Sequence, residues 1–141
     1  MGAWGHKNFE NDDACDWVYD LEKSKDKSII HQALNLIINN KEYLECPDCC
    51  NALAAANVVL AGITGEYNRV TDEVTIWLKK KYGLFRKKSV IFDKSDVSIA
   101  IHACKKIMES SELKELWEET EEFDNWVKEV SDLINKLENL A

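Results

Sequence analysis

Residues 51–62 read Asn-Ala-Leu-Ala-Ala-Ala-Asn-Val-Val-Leu-Ala-Gly, a run that is small and apolar nearly all round. A surface helix shows one apolar stripe, so a helix without a polar face has to be enclosed by other elements. The run therefore predicts a central, buried helix. Pro47 suits its start, because the first turn has no use for the missing donor, and Gly62 is expected to close it.

The segments around it also read as helices. Asn11 or Asp12 offers an acceptor to unpaired amides at a helix start, and Ala14, Trp17, Val18 and Leu21 follow at helical spacing. A second helix is expected from Asp26 or Ser28, with Ile30, Ala33, Leu34, Ile37 and Ile38 inward and Asn39-Asn40 at its end. A fourth begins at Thr71 or Asp72, carries Val74, Trp77 and Leu78, and stops near Gly83. Ser95 is expected to cap a fifth, with Val97, Ala100, Ile101, Cys104, Ile107 and Met108 on its inner face. Between these two, the stretch from Leu84 to Ser95 reads as a packed loop rather than a short strand. From Ser111 the pattern is helical to the end, with one break near Glu121. Phe123, Trp126, Val130, Leu133, Leu137 and Leu140 form a heptad seam that is short for a free coiled coil. Packing on its own bundle is expected for that seam, with a homodimer as the alternative.

One proline and five glycines in 141 residues argue against an all-β fold, whose turns draw on both. The expected fold is all-α: a single domain over residues 1–141, a bundle of about six helices with an ordered N-terminal loop from Gly2 to Asn11. No apolar stretch is read as long enough to span a bilayer and no signal pattern opens the chain, so a cytoplasmic protein without membrane contact is expected.

Acids outnumber bases 26 to 18, a formal charge of −8. Direct nucleic-acid binding would call for the opposite sign, because phosphate neutralisation dominates that affinity. The charge is also unevenly placed. Lys79, Lys80, Lys81, Arg86, Lys87, Lys88 and Lys94 form a basic run with Asp93 as its one acid, and ten acids between Glu112 and Glu138 meet only three lysines. Glu10, Asp12, Asp13, Asp16, Asp20 and Glu22 mark a smaller acidic group near the N-terminus. Internal pairing of the basic and acidic runs is one account. The other is a docking surface, with Glu118, Glu119, Glu121, Glu122 and Asp124 as first candidates and Asp12, Asp13, Asp16 and Asp20 as second, making charge-assisted hydrogen bonds to a basic partner.

Cys46-Pro47-Asp48-Cys49 has the outline of a redox motif, in which a cysteine at a helix N-terminus becomes nucleophilic. The βαβ context such a motif needs is missing, and so is a second proline. The pair reads as inert small residues at a helix start, with a thiol redox or metal-sensing role as the alternative. Cys15, Cys104 and the scattered His6, His31 and His102 complete no second ligand pair, so neither a metal nor another cofactor is expected. No nucleophile with a base is legible, and no catalytic residue is assigned.

The opening Gly2-Ala3-Trp4-Gly5-His6-Lys7-Asn8-Phe9-Glu10-Asn11-Asp12-Asp13-Ala14, with Asp16-Trp17 after it, resembles the bacterial domain of unknown function 4259 family, whose members start Gly-x-Trp-Gly-x-x-x-Phe-x-Asn-Asp. The likeness continues through Tyr43-Leu44-Glu45 with Pro47, the Ala-rich helix and Ser111 to Trp117. It departs at His6-Lys7-Asn8, where members often carry another glycine. The resemblance implies a small helical cytoplasmic protein without established catalytic residues. In this stretch Trp4 and Phe9 are expected to anchor the loop over the bundle, and Gly5 to supply a backbone angle other residues avoid. Small acidic proteins of this kind are frequent among the immunity proteins of bacterial polymorphic toxins. By that analogy the expected function is neutralisation of a cognate toxin, a basic nuclease, by a non-enzymatic inhibitor covering its active or substrate-binding surface.

Overall fold

The computed structural model describes residues 2–81, 85 and 89–141, and among these it places seven helices and no strand. They are α1 (Asp12–Glu22), α2 (Ser28–Asn39), α3 (Cys46–Thr64), α4 (Asp72–Lys79), α5 (Lys94–Glu109), α6 (Glu112–Glu118) and α7 (Phe123–Glu138). Every residue from Ala52 to Ala61 is buried, and α1, α2, α5, α6 and α7 all pack on α3. By length and composition alone α3 is apolar enough to cross a membrane, which corrects the expectation that no stretch approaches that length. Most of it is buried inside the bundle, as in a core helix.

The count is seven rather than about six because the C-terminal segment divides. The Thr120 hydroxyl donates to the Trp117 carbonyl at 2.8 Å and accepts from the Glu122 amide at 3.2 Å, so it competes with the helical ladder at that point. Acids crowd the end of α6, where the helix dipole disfavours them. Beyond the break, Trp126, Val130, Leu133, Ile134 and Leu137 of α7 are buried, and α7 packs on α5 and α3. The heptad seam is thus spent inside the bundle.

Asn11 caps α1, accepting from the Ala14 amide at 2.8 Å, and Thr71 caps α4. Two boundaries differ from expectation. The cap of α5 is Asp93 rather than Ser95: its Oδ1 accepts from the Ser95 and Asp96 amides, while Asp96 Oδ2 accepts from the Asp93 amide at 2.9 Å, a reciprocal capping box. The closing glycine of α3 is Gly65, at φ +74°, whose amide donates to the Ala61 carbonyl at 2.9 Å. Helix α4 ends at Lys79, and Gly83 lies outside the described residues, as do parts of the 84–95 loop. Ser89 to Phe92 form no strand, and Phe92 is buried.

Gly62 sits inside α3 for lack of space rather than as a stop. A Cβ there would overlap the ring of Phe92. Glycine to alanine inside a helix ordinarily adds about 0.5–1 kcal/mol. Gly62→Ala is expected to destabilise by about 1–2 kcal/mol instead, because overpacking outweighs the propensity gain. Urea unfolding followed by circular dichroism checks the sign, and a gain would mean that Phe92 moves aside freely.

Candidate functional site

The N-terminal loop is a hairpin tied to itself before it meets the bundle. The Trp4 amide donates to the Glu10 carbonyl at 3.0 Å, Glu10 to Lys7 at 3.0 Å and Asp12 to Gly2 at 2.9 Å, with an isolated antiparallel bridge between Ala3 and Asn11. Gly2, at φ +64°, takes the left-handed conformation. The expectation for Gly5 was a special backbone angle. Its φ is not in the left-handed range, and what it provides is room, since the Glu10 carboxylate occupies the place of a Cβ.

Phe9 is buried, as an anchor should be, but Trp4 is 61% exposed. Its chain neighbour Ala3 is instead the one packed against the core. Trp4 therefore faces outward. The hairpin beneath it is clamped from the core: buried Asn57 of α3 donates to Asn8 Oδ1 at 2.8 Å and to the Leu53 carbonyl, and accepts from Arg69 Nε at 3.1 Å. Arg69 Nη2 continues to the Glu129 carbonyl of α7 at 3.0 Å. Nothing in the sequence reading singled out Arg69. The signal for Asn57 was there, as the one polar side chain between Ala52 and Ala61.

Both acidic groups border this hairpin. The Glu122 carboxylate lies 3.3 Å from His6 Nδ1, and the Asp12 carboxylate packs beside Gly2. Trp4 stands between those two points in the chain. Glu118, Glu119, Glu121, Glu122 and Asp124 are all exposed. Glu118 is 3.9 Å from Lys114 on its own helix, while Glu119, Glu121 and Asp124 make no ion pair among the described residues. Among the described residues, no ion pair joins Lys79, Lys81 or Lys94 to an acid of 112–138, and Arg86, Lys87 and Lys88 lie outside the described residues.

In the second group Asp12, Asp16 and Asp20 are exposed. Asp12 lies in the first turn of α1, where a carboxylate is favoured by the helix dipole, so helix stability already accounts for it. Asp13 differs from the others. It is half-buried and turned towards Cys46 and Cys50.

All five cysteines are free thiols, and only Cys15 is exposed. The sequence pairs Cys46 with Cys49, but the fold brings Cys46 to Cys50, with 4.0 Å between sulfurs. These positions are one turn apart on the same helix face, whereas the Cys49 thiol is directed to Ser111 and the Leu113 amide. A hydrogen bond from Cys50 lowers the Cys46 thiol; that bond, with burial behind it, raises Cys50. Burial pushes Cys49 and Cys104 up to about 12, so both stay neutral thiols at physiological pH.

One buried carboxylate serves the scaffold. Asp96 is 1% exposed and accepts from Lys27 Nζ at 2.7 Å, joining α5 to the start of α2, while His31 Nε2 lies 2.6 Å from its other oxygen. Burial pushes this carboxyl up, but the hydrogen bonds from Lys27, His31 and the Asp93 amide outweigh it and hold Asp96 below the usual carboxylate range.

A family model described as domain of unknown function (DUF4259) matches residues 2–129. No curated protein and no solved structure matches the chain.

Proposed function

The chain belongs to the DUF4259 family, and from that premise we propose that it is a non-enzymatic binding protein, an immunity protein that neutralises a cognate bacterial toxin, a basic nuclease, by covering its active or substrate-binding surface. The observation that carries this reading is Trp4, exposed on a clamped hairpin whose Gly2 and His6 meet the carboxylates of Asp12 and Glu122.

Tryptophan is among the residues most enriched at binding hot spots, and a rigid support spares the ordering cost that a mobile loop incurs on association. The surrounding acids supply the other half. Glu118 and Glu119 sit at the C-terminal end of α6, where their charge opposes the helix dipole, and no base lies in its last turn. The dipole therefore does not account for either, and Glu118 has only its 3.9 Å pair with Lys114 on the same helix. Five exposed carboxylates within seven residues steer a basic partner and offer acceptors to lysine and arginine where phosphate would otherwise lie.

The test starts with the basic protein captured by this chain at low salt, refolded alone and assayed on nucleic acid with and without the chain. One equivalent is expected to suppress its nuclease activity. Glu121→Lys with Asp124→Lys is expected to slow association and weaken binding about tenfold or more at low salt, an effect that shrinks as salt rises. Trp4→Ala is expected to raise the Kd by about 30-fold through faster dissociation, as removal of a hot spot of roughly 2 kcal/mol does. A partner that stays active at saturating inhibitor, or suppression unchanged in both variants, overturns the reading.

A further inference from the structure

Beneath the hairpin the fold assembles a cluster that the docking function does not use. Cys46 Sγ and Cys50 Sγ, 4.0 Å apart on α3, and a carboxylate oxygen of Asp13 on α1 all lie within 4.8 Å of one another. We propose that Asp13, Cys46 and Cys50 form a binding site for a thiophilic divalent cation of the zinc type, with water as the fourth ligand.

The spacing suits such an ion. Tetrahedral zinc with bonds of about 2.3 Å to sulfur sets its two sulfurs about 3.8 Å apart, so the pair needs little adjustment to close on one metal. The donor set selects the same class, because thiolates favour zinc over magnesium or calcium, which prefer oxygen cages. Charge favours it as well. Binding releases the two thiol protons to solvent, and a doubly charged cation with two thiolates and one carboxylate carries the same net charge of −1 as the two thiols with ionised Asp13. A largely buried site thus takes up the ion without gaining net charge, which removes the main cost of placing a metal there.

A second observation comes from the other side of Cys50. A small cavity beside it is lined by His6, Asn8 and Asn11 of the hairpin, and Asn8 Nδ2, on a residue 92% buried, has no hydrogen-bond partner among the described residues. A buried donor left unmatched is uncommon in a native fold. It leaves a polar group without a partner in the space that Cys50 also lines. The first turn of α3 is also fixed from outside, since the Cys46 amide donates to Glu112 Oε1 at 2.8 Å. Filled, the site would tie α1 to α3 directly under the docking hairpin.

Cobalt(II) is the probe, because its thiolate complexes absorb and its tetrahedral complexes do so strongly. The full chain carrying Cys15→Ser, which removes the exposed thiol, is titrated with cobalt under a reductant that does not chelate. Expected are one equivalent bound, a thiolate-to-cobalt charge-transfer band, intense visible bands of tetrahedral geometry, and loss of both on adding one equivalent of zinc. The charge-transfer band is expected to fall by about half in Cys46→Ser or Cys50→Ser. Asp13→Asn, at a half-exposed position that leaves the core intact, is expected to keep the band but weaken cobalt binding about tenfold or more, on the scale of lost ligand support. Zinc is expected to raise the Tm of the parent and to raise that of Asp13→Asn less. No charge-transfer band in the parent, a band that survives the double cysteine variant, or an Asp13→Asn titration matching the parent overturns the site. None of these readings involves the docking partner, so this proposal and the inhibitor reading fail separately.

Discussion

Asp96→Ala is expected to remove about 3 kcal/mol of stability, the low end for an uncompensated buried charge pair, because Lys27 keeps partial access to water. The substitution strips three interactions at once: the counter-ion of Lys27, the partner of His31, and the side-chain half of the α5 capping box. Urea unfolding at neutral pH measures it. The pH dependence has a defined sign. A carboxyl held below its usual value in the folded state adds stability above the unfolded pKa, near 3.9, and that stability is lost as the pH falls through the lower folded value. The gap between the parent and Asp96→Ala is therefore expected to be full at pH 7 and to narrow below about pH 4. A loss under about 1 kcal/mol at neutral pH would class the cluster with solvated surface pairs.

Trp126→Ala is expected to cost about 3–5 kcal/mol, the range for deleting a large buried aromatic. Its side chain is 1% exposed and stacks on Phe123 with ring centroids 6.3 Å apart. It also lines the small cavity with His6, Asn8, Trp117 and Cys50. The void left behind opens the space under the hairpin, so the Cys50 thiol is expected to react faster with a small alkylating reagent in the variant. Because the seam faces α5 and α3 of its own chain, the loss is expected to be independent of protein concentration, with monomer mass by light scattering. A loss that grows on dilution would place this face between two chains instead.

Much of the fold was legible because helical periodicity is a local property. The stripe Trp126, Val130, Leu133 and Leu137 identified the inner face of α7, and the apolar run from Ala52 to Ala61 placed α3 at the centre. Caps were legible to within a residue or two, and which neighbouring side chain serves was decided by the fold. Asn11 and Thr71 act as read, but beside Ser95 the longer reach of Asp93, answered by Asp96, won the α5 cap. Two glycines competed to end α3. Phe92, thirty residues away, decided the matter, since it needs the bare surface at Gly62 and leaves the left-handed turn to Gly65.

The candidate site was legible in composition and not in arrangement. The acidic runs could be counted, and so could the cysteines, but the reading put Trp4 inside and paired Cys46 with Cys49. Trp4 faces outward while its neighbour Ala3 packs on the core, and a cysteine's partner depends on which helix face meets α1.

By itself the sequence determined which residues form helices, which face of each is apolar, and that α3 must be enclosed; these follow from periods of a few residues and from the cost of leaving apolar surface in water. Tertiary structure alone decided the pairs that carry chemistry: Asn8 with Asn57, Lys27 with Asp96, His6 with Glu122, and Asp13 with Cys46 and Cys50. Each joins positions at least 33 residues apart in the chain, and the period of one helix carries no information about its distance or rotation relative to another. Those are set by how side chains from several helices fill one core together.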